Sequence, residues 1–175
     1  MDITAVLDRL TSARTCDASE LGITDADLKE LRLTKDNPDD LRDRFIDLTD
    51  LTVSDNPITN EGLRWLAPLH KLQNFNISRT KVDDEGMKLL AMFPGLKSLA
   101  FGDMIVTDTG LANLITASPG LEELEFGGVN ITDEGLKAHI PRLTGLRCLI
   151  IYEGAHTDDG LAELQRLCPE LTILG

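Results

Sequence analysis

The sequence predicts an α/β solenoid for most of its 175 residues, with a curved parallel sheet inside and short helices outside. Three observations point there. The phrase "LTDLTVSDNPI" at Leu48 returns in kind at Leu72, Leu96, Leu121 and Leu146, and a half-unit "LTILG" starts at Leu171, at spacings of 24, 24, 25, 25 and 25 residues. Within each phrase alternate residues are apolar, as in Leu51 and Val53, the period of a strand. After each phrase comes one helix entrance, spelled "PITNEGL", "KVDDEGM", "IVTDTGL", "NITDEGL" and "AHTDDGL".

The elements follow in order. After Ile58, apolar residues fall at Leu63, Leu66 and Leu69, the spacing of a helix with one buried face. Thr59 or Asn60 can cap that helix by accepting a backbone N–H. Gly62 is expected to let the helix approach its neighbour. "FPGL", "SPGL" and "CPEL" end three of the helices and return the chain to the next strand. One such unit cannot bury its own apolar face, whereas a stack of units can.

Residues 48–175 resemble the leucine-rich repeat family through the pattern L-x-x-L-x-L-x-x-(N)-x-(I) in five consecutive copies plus a half-repeat. The T-D-x-G-L turn is similar to that of ribonuclease-inhibitor-like proteins and of leucine-rich repeats joined to F-box substrate receptors. The cysteine that marks many F-box-linked repeats is missing. The asparagine that ladders between coils of the family occurs once, at Asn56; Thr80, Met104, Val129 and Gly154 hold the matching positions. The resemblance implies a leucine-rich repeat solenoid acting as a non-catalytic protein-interaction module, with a protein partner that the ribonuclease-inhibitor likeness suggests is basic.

Residues 1–47 break the period. "DITAVLDRL" and "NPDDLRDRF" read as amphipathic helices, and "ITDADLKEL" copies the outer turn with Asp27 in place of Gly. This segment is expected to form a helical N-terminal cap containing a degenerate repeat, covering the first strand's open edge.

Composition narrows the function classes. Net charge is −13, which argues against nucleic acid and anionic membrane surfaces. Ten of the thirty acidic residues lie in the helix entrances, where each carboxylate meets a helix dipole and contributes ~0.3–1 kcal/mol. No apolar run approaches the ~18 residues of a membrane span, and the N-terminus lacks the basic and apolar regions of a secretory signal. Three widely spaced cysteines fit reduced thiols in a cytoplasmic protein. No P-loop, nucleophile elbow or zinc-helix motif occurs, so no cofactor and no catalysis are expected.

His139 and His156 align with core positions of neighbouring coils, which makes them the one candidate for a metal site or an unrecognised enzyme; two hydrogen-bonded core histidines are the plainer reading. Asp83–Asp84 and Asp158–Asp159 lack the spacing of a calcium loop and are read as helix caps.

The binding surface can be read as columns, because stacking places equivalent residues ~4.8 Å apart along the inner sheet. The first column is Asp50, Asn74, Ser98, Glu123, Cys148 and Ile173; the second is Thr52, Asn76, Ala100, Glu125 and Ile150; the third is Ser54, Ser78, Gly102, Gly127 and Tyr152. Arg79 stands beside the polar first coils. Glycines 102, 127 and 128 leave room for a bulky partner side chain. "CLIIY" is apolar on both faces, and "LTILG" follows without a polar closing helix. The C-terminal end is therefore expected to be a contact surface, for a partner or for a homodimer formed through that edge. An adaptor that recruits a target to another complex, with residues 1–47 as its docking half, is the alternative function.

Overall fold

The computed structural model describes residues 11–12, 14–31, 45 and 47–175. The chain opens with the strands β1 (Thr11–Ser12) and β2 (Thr15–Asp17) and the helix α1 (Asp25–Leu31). Then come β3 (Asp50–Thr52), α2 (Asn60–Trp65), β4 (Asn74–Asn76) and α3 (Asp84–Met87), the last continued by a 3-10 turn over Lys88–Met92. β5 (Ser98–Gly102), α4 (Asp108–Ala117), β6 (Glu123–Gly127) and α5 (Asp133–His139) follow, and a 3-10 turn covers Ile140–Arg142. β7 (Cys148–Ile151), α6 (Asp158–Leu167) and β8 (Thr172–Leu174) complete the order.

Strands lie in sequence order in a single sheet. β1 and β2 pair antiparallel; from β2 to β8 every pairing is parallel. This is the expected solenoid. Its core is a set of stacked columns in which Leu51, Phe75, Leu99, Leu124 and Leu149 are each at most 6% exposed. Beside them run Val53, Ile77, Phe101, Phe126 and Ile151, with the Phe101 and Phe126 rings stacked at 5.2 Å. Each fully buried side chain of this size contributes about 1.5–3 kcal/mol.

In the N-terminal segment, the β1–β2 hairpin was not anticipated. Cys16 of β2 faces the core between the exposed Thr15 and Asp17, upstream of the repeated phrase. The two helices expected over residues 2–10 and 37–45 lie outside the described residues, apart from the buried Phe45. Asn56 joins this segment to the next coil. It is 1% exposed, its Oδ1 accepts from Ile23 N (2.7 Å), and its Nδ2 donates to the carbonyls of Ala18 (2.7 Å), Val53 (3.0 Å) and Ser54 (3.0 Å). Thr80, the next position of the broken asparagine series, is buried and donates to Ile77 O.

The repeated helix entrance does more than cap a helix. In α4 the Oγ1 of Thr107 accepts from Thr109 N, as a cap should. The same Oγ1 donates to Asp84 Oδ2 of the preceding coil at 2.6 Å, and Thr107 N donates to Asp84 Oδ1 at 2.8 Å. The contact recurs between Asp25 and Thr59, between Asp108 and Thr132, and between Asp133 and Thr157. Each threonine thus spends its hydroxyl lone pair on its own helix and its hydroxyl proton on the coil before. The two Thr157 bonds hold the Asp133 carboxyl below the ordinary aspartate range.

These rungs explain the glycine of the motif. A Cβ at Gly135 would overlap Oδ1, Cγ and Cβ of Asp108, and one at Gly160 would overlap the carboxylate of Asp133. Gly62, Gly86 and Gly110 face Asp25, Asn60 and Asp84 in the same way. α1 carries Asp27 where the others carry glycine, and there Thr24 closes its rung internally. Its N–H and hydroxyl both donate to Asp27 Oδ2, at 2.9 and 2.6 Å, in a capping box with aspartate in the glutamate role.

One rung is inverted. The cap of α3 is Asp83, which has no hydroxyl proton to give, and the residue facing it is Asn60 rather than aspartate. Asn60 Nδ2 donates to Asp83 Oδ1 at 2.7 Å, and Asn60 Oδ1 accepts from Asp83 N at 3.2 Å.

Three stability outcomes follow. Asp108→Ala removes two bonds to a carboxylate and lowers stability by about 1.5–3 kcal/mol in urea unfolding. Gly135→Ala is destabilising by about 1–3 kcal/mol in the wild type, and its cost shrinks in the Asp108→Ala background; additive costs would show that the glycine serves some other contact. Asn60→Asp sets two carboxylates against each other and lowers the unfolding midpoint at pH 7. Adding Asp83→Thr rebuilds the common rung and recovers stability, and a double variant weaker than the single would refute the assignment.

Candidate functional site

The strands present their non-core side chains on the open inner face. Asp50 pairs with Asn74, Asn74 with Ser98, Ser98 with Glu123, and Glu123 with Cys148. In parallel with them run Thr52, Asn76, Ala100, Glu125 and Ile150. The first two columns therefore line up as expected through β7. At β8 they do not. Cys148 pairs with Thr172, Leu149 with Ile173 and Ile150 with Leu174, so Ile173 turns toward the core and packs against it. A shift of one residue flips every side chain to the other face. Thr172 and the half-exposed Leu174 take the place that the repeat spacing assigned to Ile173.

Within the columns the groups are partly satisfied by one another. Asn74 Nδ2 donates to Asp50 Oδ1 (2.5 Å), and Ser98 Oγ donates to Glu123 Oε1 (3.2 Å). Asn76 Oδ1 accepts from Ser78 N (2.9 Å). Ser54 is not a surface residue: it is 7% exposed and its Oγ donates to Ser19 Oγ at 3.0 Å. The N-terminal segment covers it, which the repeat pattern alone could not show.

Asp55, Arg79 and Asp103 leave successive strands in the left-handed region, at φ of 58°, 52° and 52°. For Arg79 this conformation is uncommon. The side chains that result form a line of alternating charge. Arg79 Nε and Nη2 donate to the two Asp55 oxygens (2.5 and 2.7 Å), and its Nη1 lies 3.6 Å from Asp103 Oδ2. The guanidinium is thereby held charged well above its usual range, first by the Asp55 bond, and the same bond lowers the Asp55 carboxyl. Arg79 is thus held between Asp55 and Asp103 while its side chain stays half exposed. In the next coil Gly128 takes the left-handed place, where a Cβ would overlap the Asp103 carboxylate.

A hollow of about 480 Å³ opens at this end of the sheet. Gly102 and Gly127 floor it. Ser78, Arg79, Asp103, Glu125, Tyr152 and Glu153 stand around it. Tyr152 is 56% exposed, and its Cβ lies where it would meet a Cβ at Gly127 at 2.6 Å. Glu125 beside it raises the phenol above its ordinary value, because a nearby negative charge disfavours the phenolate. Asp103 and Glu153 were missed from the sequence; they follow the strands and lie outside the strand columns.

His139 and His156 are half-buried rather than core residues. Ile140 takes the core position of that helix at 1% exposure, and the buried Nδ1 of His139 has no hydrogen-bond partner. His156 sits against Gly154 on an open surface hollow with Asp158 and Leu161. Among the described residues, no group of three histidine, cysteine or acidic side chains could hold a metal ion. Among them, too, no helix is long and apolar enough to cross a membrane.

A family model described as leucine-rich repeat matches residues 47–67, 69–91 and 118–138. Among solved structures, the chain is similar to a leucine-rich repeat protein of Leptospira interrogans, at 20% identity and a TM-score of 0.50 over 74% of this chain and 32% of that one. The chain folds as a leucine-rich repeat solenoid. It is also similar to a structure of the Chaetomium Mex67:Mtr2 subunits, at 18% identity and a TM-score of 0.57 over 70% of this chain and 87% of that one. An internalin from Listeria monocytogenes shares 22% identity at a TM-score of 0.49, over 74% of this chain and 41% of that one. The repeat protein thus spans less than half the length of the Leptospira and Listeria chains. At these identities the structural likeness concerns the fold. No curated protein matches the sequence significantly.

The single tyrosine of the repeat protein is Tyr152, so its titration can be read without interference. Absorbance of tyrosinate is expected to rise with a midpoint above 10.0 in the wild type, and Glu125→Gln returns it toward that value. Unchanged midpoints would place Glu125 away from the ring.

Proposed function

We propose that this protein, like leucine-rich repeat domains generally, mediates protein–protein interaction, and that it binds a protein partner on the inner face of its sheet. Asp50, Thr52, Asn74, Asn76, Glu123 and Glu125 make the contact, with Cys148, Ile150, Tyr152 and Leu174 as an apolar anchor. The observation that carries this reading is the graded inner wall. Small hydrogen-bonding groups occupy β3 and β4, carboxylates occupy β6, and an apolar strip occupies β7 and β8. Such a wall offers a partner both a desolvating contact and a polar register.

The acidic groups favour a basic partner surface, in keeping with the net charge of −13. Ile150 beside Leu174 also makes a second copy of the chain a candidate for the same strip. On the convex side Lys29 lies 5.5 Å over the Trp65 ring.

The test compares three proteins: the wild type, the inner-face variant Thr52→Arg/Asn76→Arg/Ile150→Ser, and an outer-face control, Lys88→Ala/Arg166→Ala. Capture from native lysate and sedimentation velocity are measured on each. The inner-face variant is expected to lose the partner or the dimer at least about tenfold while the control keeps it. A complex that survives the inner-face changes overturns the proposal.

A further inference from the structure

The hollow over Gly102 and Gly127 has a chemistry of its own. Two missing side chains make its floor, and it is far larger than the ~30 Å³ that one water occupies in the liquid. It can take a whole side chain of a partner. Its walls select the kind. Tyr152 offers an exposed aromatic face, and Glu125 against the phenol keeps the ring next to fixed negative charge. Asp103, Glu125 and Glu153 are three carboxylates on the lining, against the single cation of Arg79. That cation is already paired with both oxygens of Asp55 and approaches Asp103. The lining therefore carries uncompensated negative charge beside a π face.

We infer that this hollow receives an arginine side chain of the partner. A planar guanidinium can stack on the Tyr152 ring while its edge donates to carboxylates on the rim, which a rounded ammonium cannot do equally well. An acidic or phosphorylated side chain would meet like charge. A purely apolar one would strip water from carboxylates without replacing their hydrogen bonds. The inference rests on the inner face being the binding face, and it adds the identity of the anchoring group.

The experiment titrates N-acetyl-arginine-amide into the 15N-labelled protein and follows backbone amide shifts. The neutral citrulline counterpart and the lysine counterpart serve as comparisons. Shifts are expected to concentrate on Gly102, Gly127 and Gly128, with arginine binding about tenfold tighter than citrulline and a few-fold tighter than lysine. Tyr152→Ala and, separately, Glu153→Gln should each weaken the arginine response; the second is a surface change that leaves the fold intact. Equal responses to arginine and citrulline overturn the inference. So do shifts spread evenly over the outer turns at Gly135 and Gly160, which would mark general attraction to an acidic chain. Failure here with loss of the partner in the inner-face variant discards only the arginine anchor. A localised arginine response with an undisturbed complex discards the inner wall as the partner's site.

Discussion

A carboxylate shared between two coils governs this architecture. Asp25, Asp84, Asp108 and Asp133 each sit in the first turn of one helix and bind the backbone N–H and hydroxyl of the threonine that starts the next. Three letters of the repeated entrance follow from this contact. Threonine is needed because it can accept from its helix and donate to its neighbour at once. Aspartate is needed because two donors converge on it. Glycine is needed because the carboxylate occupies the space of its Cβ. Apolar packing alone would let coils slide or tilt, since it is non-directional. The rungs fix their rotation and spacing on the outside, as the sheet does on the inside.

The inner face inherits that order. Because the coils cannot slip, Asp50, Asn74, Ser98 and Glu123 stand in line, and differences between coils become a gradient along one wall. Where the strands end, the left-handed residues Asp55, Arg79 and Asp103 turn their charges toward one another. The glycines at 102 and 127 then leave an opening beside them. Binding capacity on this molecule is thus a matter of what each coil omits as much as of what it displays.

Much of this was legible in the sequence, and the reasons for the rest are specific. The repeat period located every strand from β3 to β8, because the phrase that begins at Leu48 recurs at each of them. It did not locate β1 and β2, which lie upstream of that phrase. It placed Ile173 on the open face, since the spacing of 25 implied a register that β8 abandons by one residue. It placed Ser54 there too, because a column count cannot see Ser19 of another segment lying across it. The helix entrances were read as caps with dipole-stabilised acids. Their second role, between coils, was hidden because a contact at a separation of 23 or 24 residues looks locally like nothing at all.

The inverted rung has a consequence for how such a chain can be assembled and varied. The coils beginning at Thr107, Thr132 and Thr157 carry matching polar faces, so as far as their rungs go, any of them could be copied, deleted or exchanged and still find a compatible neighbour. Asn60 and Asp83 fit only each other. They act as a matched pair at one junction, where an aspartate opposite Asp83 would set carboxylate against carboxylate. Genetic duplication is free to lengthen this solenoid downstream of that junction, but a change at either member of the pair must wait for its mate.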